Sequence, residues 1–444
     1  MELQKVLAEA VASKGLPGAV AAVLHDGQVT EAAAGVLNIR TGVEATPDSL
    51  FQIGSITKVY TATLMLQLVD AGLVDLDAPV RTYLPEFRVA DPAASEEITV
   101  RHLLTHTSGF DGGDFFFDGG RGDDALARYV AALADLDQIT PPGKYWSYNN
   151  AGFTVLGRVV EVVSGQVWDA ALRDRLLQPA GLDHSVTLPE DALLFRAAAG
   201  HQLGDDGANT LASQWMLDRS AGPAGLICAS AADVVNFARI YLEDGRGVLS
   251  PASVKAAQQQ QALMPGETSI GCGLGWILRD VDGVRTIGHN GGTLGQAAFL
   301  TAFPDNGVAI ALLTNGPTGG LVWQDVAAHV TAALGLPSLK PPMPAVPATP
   351  PDIDLAKYAG RYERKAVHST VTLEDAQLQL AMAYVDVRYD LKPPPPVPLT
   401  PVNSQTFVAL GPDGEPAMQV EFLEPDAEGR PQLFFAARMA RRAS

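Results

Sequence analysis

LFQIGSITKVYTATLMLQLVDAGLVDLDAPV, residues 50–80, sets two kinds of backbone side by side. Gly54 breaks the apolar run, and from Ser55 onward the pattern turns helical. Ser55 and Lys58 stand three apart, on one helix face, where an amine reaches a hydroxyl. The partial positive charge of a helix start favours negative charge developing at Ser55. An N-cap serine followed by a surface lysine has the same spelling, so the pair needs corroboration from elsewhere.

Two further stretches supply it. In PPGKYWSYNNAGFTVLG (141–157), Tyr148 precedes Asn149 and Asn150. A tyrosine beside ammonium groups has a lowered pKa and serves as general base and then acid. The amide of Asn150 can hold a substrate carbonyl or orient Lys58, and it can also cap a helix starting near Ala151. In Gly288-His289-Asn290-Gly291-Gly292, between two strand-like runs, glycines let a substrate backbone approach an edge strand and expose N–H groups.

S-x-x-K, Y-x-N and H-x-G in this order resemble the serine β-lactamase and penicillin-binding-protein superfamily. The similarity is greatest to its class C β-lactamase, D,D-peptidase, D-aminopeptidase and esterase branch. Residues 50–80, ITVRHLLTHTSGF (98–110) and AGPAGLICASAADVVNFA (221–238) carry the same resemblance, which covers residues 1 to about 335. It implies that Ser55 is the nucleophile, that Lys58 keeps its proton network poised, and that Tyr148 is the partner base. Asn150, His289 and Gly291 are implied to bind substrate, and the N–H groups of Ser55 and Gly292 to form the oxyanion hole. No cofactor and no metal are implied. The implied fold is α+β: an antiparallel sheet flanked by helices, with an inserted helical domain. A departure lies in the third motif. His289 stands where many relatives carry lysine, and a histidine of ordinary pKa is largely neutral at pH 7. Carboxylate binding at that position and β-lactam hydrolysis should weaken.

The rest of the chain fits this layout. Asp26-Gly27 joins AVAAVLH to QVTEAAAG as a hairpin, and QAAFLTAF-PDNG-VAIALLTN turns at Pro304–Gly307. Between them, from 57 to 265, the pattern is mostly helical, so sheet parts at 1–56 and 266–335 enclose an inserted helical part. Seven prolines in PSLKPPMPAVPATPP (337–351) mark a stiff linker over 336–353. Beyond it, 354–444 breaks into short strand-like runs, among them RYERKA, STVTLED, QLQLAMAYV and VRYDLKP. They predict a small barrel, which resembles the lipocalin-like domain of some serine peptidases through GRYERK (360–365) and PLTPVNSQTFVAL (398–410).

With 31 Lys+Arg against 50 Asp+Glu, the net charge of −19 opposes phosphate backbones and anionic lipid as partners. No apolar run reaches the length of a membrane span. The N-terminus reads as an amphipathic helix without a signal peptide's basic start, which points to the cytoplasm. Cys228 and Cys272 read as small buried residues. His102 and His106 lie four apart but lack the glutamate of a zinc helix. DGGDFFFDGGRGDD (111–124) reads equally as a lid beside Tyr148 or a mobile surface loop, and Trp215, Trp276 and Trp323 read as core. The expected activity is hydrolysis through an acyl-enzyme. The favoured substrates are short D-amino-acid-containing peptides or amides, with small esters and β-lactams as alternatives. A slowly deacylating penicillin-binding or sensor protein is the rival, and Tyr148 argues against it by supplying a deacylation base. The barrel is expected to fill its interior with Leu378, Leu380, Phe407, Phe422 and Phe434 and to serve packing or assembly of a homo-oligomer.

Overall fold

The computed structural model describes residues 2–340, 343–385, 393–411 and 414–443. Strand β1 (Gly18–His25, GAVAAVLH) is buried along all but its last residue, because it lies in mid-sheet with both faces covered. Its alternation divides two cores. Ala19, Ala21 and Val23 face helix α1 (Leu3–Ser13) and a helix over Gly319–Ala333, packing with Ile310, Leu312 and Val326. Val20, Ala22 and Leu24 face the helical part, together with Ala309, Ala311 and Leu313.

The sheet has nine antiparallel strands and joins distant segments. Strand β2 (Gln28–Asn38) pairs with β1, which in turn pairs with β5 (Val308–Thr314). Outward from β5 come β4 (Ala297–Phe303), β3 (Val284–Gly292) and shorter strands back to Ala262. Both predicted hairpins are present, with Asp26 and Gly27 at φ 50° and 72° and Gly307 at φ 63°. The helical part is less uniform than its periodicity suggests. It contains a three-stranded sheet that brings Phe51–Gln52 to Cys228–Ala229, and a small hairpin over His201–Leu211. Sheet pairing also resumes at Ala262, before the expected 266. Among the described residues, no helix is long and apolar enough to cross a membrane.

Helix α2 (Thr57–Asp70) is buried nearly all round, as the central rod of the helical part. Helix α3 (Asn150–Ser164) packs on it and ends at Gly165, whose φ of 71° is the left-handed C-cap position. The N-cap is Asn149, not Asn150: its Oδ1 accepts from Gly152 N at 3.0 Å. Asn149 also donates its backbone N–H to His106 Nδ1 at 3.0 Å.

The C-terminal unit is a closed eight-stranded antiparallel barrel. Its interior is filled as expected by Leu378, Leu380, Phe407, Phe422 and Phe434. VRYDLKP lies outside the described residues except for Pro393. The barrel's packing partner is its own chain. Leu433, Phe435 and Met439 close over Ile139, Trp146 and Cys272, with the rings of Trp146 and Phe435 6.0 Å apart.

Candidate active site

Ser55 sits in a 3₁₀ turn, Gly54–Ile56, that leads directly into α2. Gly54 has φ 51°, and a Cβ there would come 2.6 Å from Gly292 N. Gly291 is equally tight: a Cβ would come 1.9 Å from Ile53 O and 2.9 Å from Ser55 N. These two glycines let the end of β3 press against the turn, so the N–H groups of Ser55 and Gly292 are neighbours. Gly291→Ala must push the strand away by an ångström or more. A kcat loss of about 10²-fold is expected, since misplacement on that scale costs this much. Single-turnover kinetics at saturating substrate checks it, and an unchanged acylation rate would show that the close approach is dispensable.

Lys58 is fully buried on α2. Its Nζ lies 3.1 Å from Ser55 Oγ and donates to Ala224 O at 2.8 Å. The rings of Tyr148 and Phe153 face it at 4.9 and 5.8 Å. No carboxylate among the described residues compensates it, so burial, helped by Arg438, holds its pKa well below the usual lysine value.

Tyr148 departs from expectation. Burial outweighs the hydrogen bond to Ser55 and the nearby Arg438, and pushes the phenol up to about 12 rather than down. At neutral pH Tyr148 therefore keeps its proton. His289 is neutral, because burial and Lys58 press it down to about 3. Its Nδ1 lies 2.6 Å from Asn290 O, which can only accept, so Nδ1 carries the proton and Nε2 is a bare acceptor. That Nε2 is buried with no hydrogen-bond partner among the described residues.

Asn150 Nδ2 donates to Gly113 O at 2.6 Å, so its amide is held by the 111–124 segment rather than by Lys58. Its Oδ1 takes no part in that bond. The 111–124 segment is a wall of the site, and its first two aspartates reach the barrel. Asp111 accepts from Lys365 N at 2.5 Å, and Asp114 pairs with Arg364 and, at 3.3 Å, with Arg438. Phe115 and Phe116 line a cavity of about 50 Å³ with Ser55, Asn150 and Gly292. His102 and His106 have structural tasks, in the Thr99 capping box and beneath Tyr148 at 4.5 Å between rings. Trp276 is core, whereas Trp215 and Trp323 line cavities and are only partly buried. Cys228 and Cys272 are buried and unpaired.

The residue missing from the sequence reading is Arg438. The barrel hairpin between Pro431–Ala436 and Arg438–Arg442 turns on Ala437 alone, at φ 58°. A non-glycine residue in this region stores strain, and here the tip inserts into the site. Ala437 O accepts from Tyr148 N at 3.1 Å, and Met439 N donates to Ser147 Oγ at 3.0 Å. The Arg438 guanidinium lies 5.1 Å from the centre of the Tyr148 ring. Its Nε is buried without a hydrogen-bond partner among the described residues. Arg438, Tyr148 and His289 line a second cavity of about 280 Å³, which also carries Arg279 and Lys340 and has no carboxylate among its described lining residues. Nothing local marks Arg438. It is one of several arginines in QLFFAARMARR, and only the barrel's docking selects it.

Comparison with known proteins identifies the family and the fold. A family described as Beta-lactamase matches residues 3–334. Penicillin-binding protein 4 of Amycolatopsis lactamdurans is 49% identical over 360 residues, spanning 79% of this chain and 94% of that protein. The crystal structure of SurE superposes with a TM-score of 0.80 at 29% identity, over 99% of this chain and 98% of SurE. A D-stereospecific amidohydrolase from Streptomyces sp. aligns with 73% of this chain and 97% of its own, at TM-score 0.58 and 27% identity.

Proposed function

The chain belongs to the beta-lactamase family of serine hydrolases, and on that premise we propose that it is a peptidase or amidase acting on short peptides that contain D-amino acids. The observation that carries the reading is Ser55 held between a desolvated Lys58 and a protonated Tyr148, with Arg438 on Tyr148's side.

Neutral Lys58 Nζ takes the proton of Ser55 Oγ, which attacks the carbonyl carbon. The N–H groups of Ser55 and Gly292 hold the oxyanion, and such a donor is worth about 3 kcal/mol of transition-state stabilisation. Tyr148 gives its proton to the leaving nitrogen and recovers one from the Lys58 ammonium, so the network is reset when the C–N bond has broken. Water then repeats the sequence on the acyl ester of Ser55, with Lys58 and Tyr148 as one coupled unit. Asn150 Oδ1 and His289 Nε2 accept hydrogen bonds from substrate N–H groups.

The leaving-group side favours peptides over small esters. The neutral alcohol released from a small ester carries no charge for these cations to meet, whereas the carboxylate of a released amino acid or peptide finds Arg438, Arg279 and Lys340 there. Kinship with a D-stereospecific amidohydrolase supports the D-preference. The test compares a D-alanyl anilide, its L-counterpart and a short-chain nitrophenyl ester, each with wild type and Ser55→Ala. D-selective anilide cleavage that disappears with Ser55→Ala is expected. Ester cleavage with both anilides untouched would make the protein an esterase. An acyl-enzyme surviving for minutes would make it a slowly deacylating binding protein.

A further inference from the structure

One carboxylate of the hydrolase unit joins two strands of the barrel. Asp114, in the wall of the site, pairs through Oδ2 with Arg364 and through Oδ1, at 3.3 Å, with Arg438. Arg364 ends the barrel strand Gly360–Arg364, and Arg438 begins the strand Arg438–Arg442. The side chains of Arg364, Asp114 and Arg438 are only 12%, 22% and 23% exposed. Charges so far withdrawn from water are weakly screened, so the way they share one another decides what each can still bind.

The stem of Arg438 has little freedom. A Cβ on Gly113 would come 2.6 Å from Arg438 Cδ and 2.9 Å from Tyr148 O, so the stem passes over bare backbone beside Tyr148. At its end, one Nη is on Asp114, while the buried Nε has no hydrogen-bond partner among the described residues. A donor edge is therefore left over in the cavity that Arg438 shares with Tyr148. Whether a substrate carboxylate can use it depends on Asp114, which is an anion already in place. A lone Asp114–Arg438 pair would be neutral and closed, and the substrate would have to compete with it. Arg364 changes that balance, because it engages the second oxygen of Asp114 and leaves the series with one positive charge in excess. The excess registers on Arg364 itself, whose pKa burial and the Arg438 charge bring down to about 9. Asp111, the other acid of this wall, accepts from Lys365 N and faces Arg364 and the exposed Lys365 side chain.

We propose that Arg364 is a positioning residue for substrate recognition: by holding Asp114 from the barrel side, it keeps the Arg438 guanidinium available to the free carboxylate of the leaving segment. This rests on the peptidase reading above and deepens it. Arg364 touches no substrate, and its effect on specificity passes through Asp114 to Arg438.

Binding to the full-length Ser55→Ala protein, measured by titration calorimetry, tests this without requiring turnover. The probes are D-Ala-D-Ala and its C-terminal amide, and the readout is the ratio of their dissociation constants. The acid is expected to bind about 10–100-fold more tightly than the amide, the worth of a hydrogen bond to a charged group. Adding Arg364→Met closes Asp114 on Arg438 and is expected to bring the ratio below about threefold. Adding Asp114→Asn to that variant frees Arg438 again and is expected to restore the ratio to within about threefold of its starting value. Arg364→Lys keeps most of the ratio, since an ammonium also pairs with Asp114. Each ratio is taken within one variant, so partial misfolding does not imitate its loss, and a merely structural role for Arg364 would not be reversed by removing a second ion. A ratio unchanged by Arg364→Met overturns the proposal, as does a ratio that Asp114→Asn fails to restore. A starting protein that binds acid and amide alike overturns it together with the carboxylate role of Arg438. The expected set of ratios with no turnover of any peptide by wild type would remove the peptidase reading and uphold the role of Arg364.

Discussion

Lys58→Met is expected to lower kcat/KM by about 10⁴-fold, the upper end of what a positioned base contributes, while the melting temperature holds or rises. Both halves follow from one fact: the amine is fully buried with no carboxylate partner among the described residues. A buried lysine held below its ordinary pKa binds fewer protons than the same lysine in the unfolded chain. Stability is therefore lost as pH falls from the unfolded value of 10.5 toward the depressed folded one. Methionine fills the same volume without that penalty. The same depression shapes the rate. Only the neutral amine accepts the Ser55 proton, so kcat/KM rises with pH through the Lys58 pKa and falls below it. Tyr148 at about 12 and His289 at about 3 add no second limb between pH 5 and 10. The expected profile is a single ascending limb with a plateau. A descending limb near neutrality would show that a group needed in its protonated form, such as a His289 imidazolium, takes part. A Lys58→Met variant with a tenth of wild-type activity would remove Lys58 from the mechanism.

The parts of this site legible in the sequence are those in which a motif and a local element coincide. Gly54-Ser55-x-x-Lys58 spells both the start of a helix and the reach of an amine to a hydroxyl, and the 3₁₀ turn running into α2 realises both. The two glycine-bearing hairpins were readable because their turns need left-handed backbone that Asp-Gly and Asn-Gly provide. The sign of Tyr148's shift was not readable. It depends on how much burial opposes the hydrogen bond to Ser55 and the nearby Arg438, and no spacing encodes that balance. Asn149 and Asn150 are adjacent asparagines, and only the chain's entry angle decides that the first caps α3 while the second turns toward Gly113. The barrel's eight strands were legible from short alternating runs. Its docking was not, because Leu433, Phe435 and Met439 look like any outward-facing apolar residues until Trp146 covers them.

Arg438→Ala is expected to lower kcat/KM for a peptide with a free carboxyl terminus by about 10–100-fold, the worth of a charge-assisted hydrogen bond, and to change the matching C-terminal amide by less than about threefold. The argument begins at His289. It occupies the strand position where a lysine would hold a carboxylate, yet its ring is neutral and its free Nε2 can only accept. A carboxylate there meets no donor. The cation comes instead from across the cavity, on a barrel hairpin whose tip at Ala437 is fixed to Tyr148 N. Arg438 also pairs with Asp114, so its removal can loosen the wall that carries Phe115 and Phe116. The amide substrate separates the two effects, since a loosened wall slows both substrates alike, whereas a lost carboxylate contact slows only one. Arg438→Lys should recover a minor part of the loss, because a single ammonium cannot reproduce a two-point guanidinium contact. Equal losses on acid and amide would make Arg438 a strut between barrel and hydrolase unit. Selective loss on the acid would mean that the barrel completes the substrate site, doing for this chain what a lysine on β3 would otherwise do.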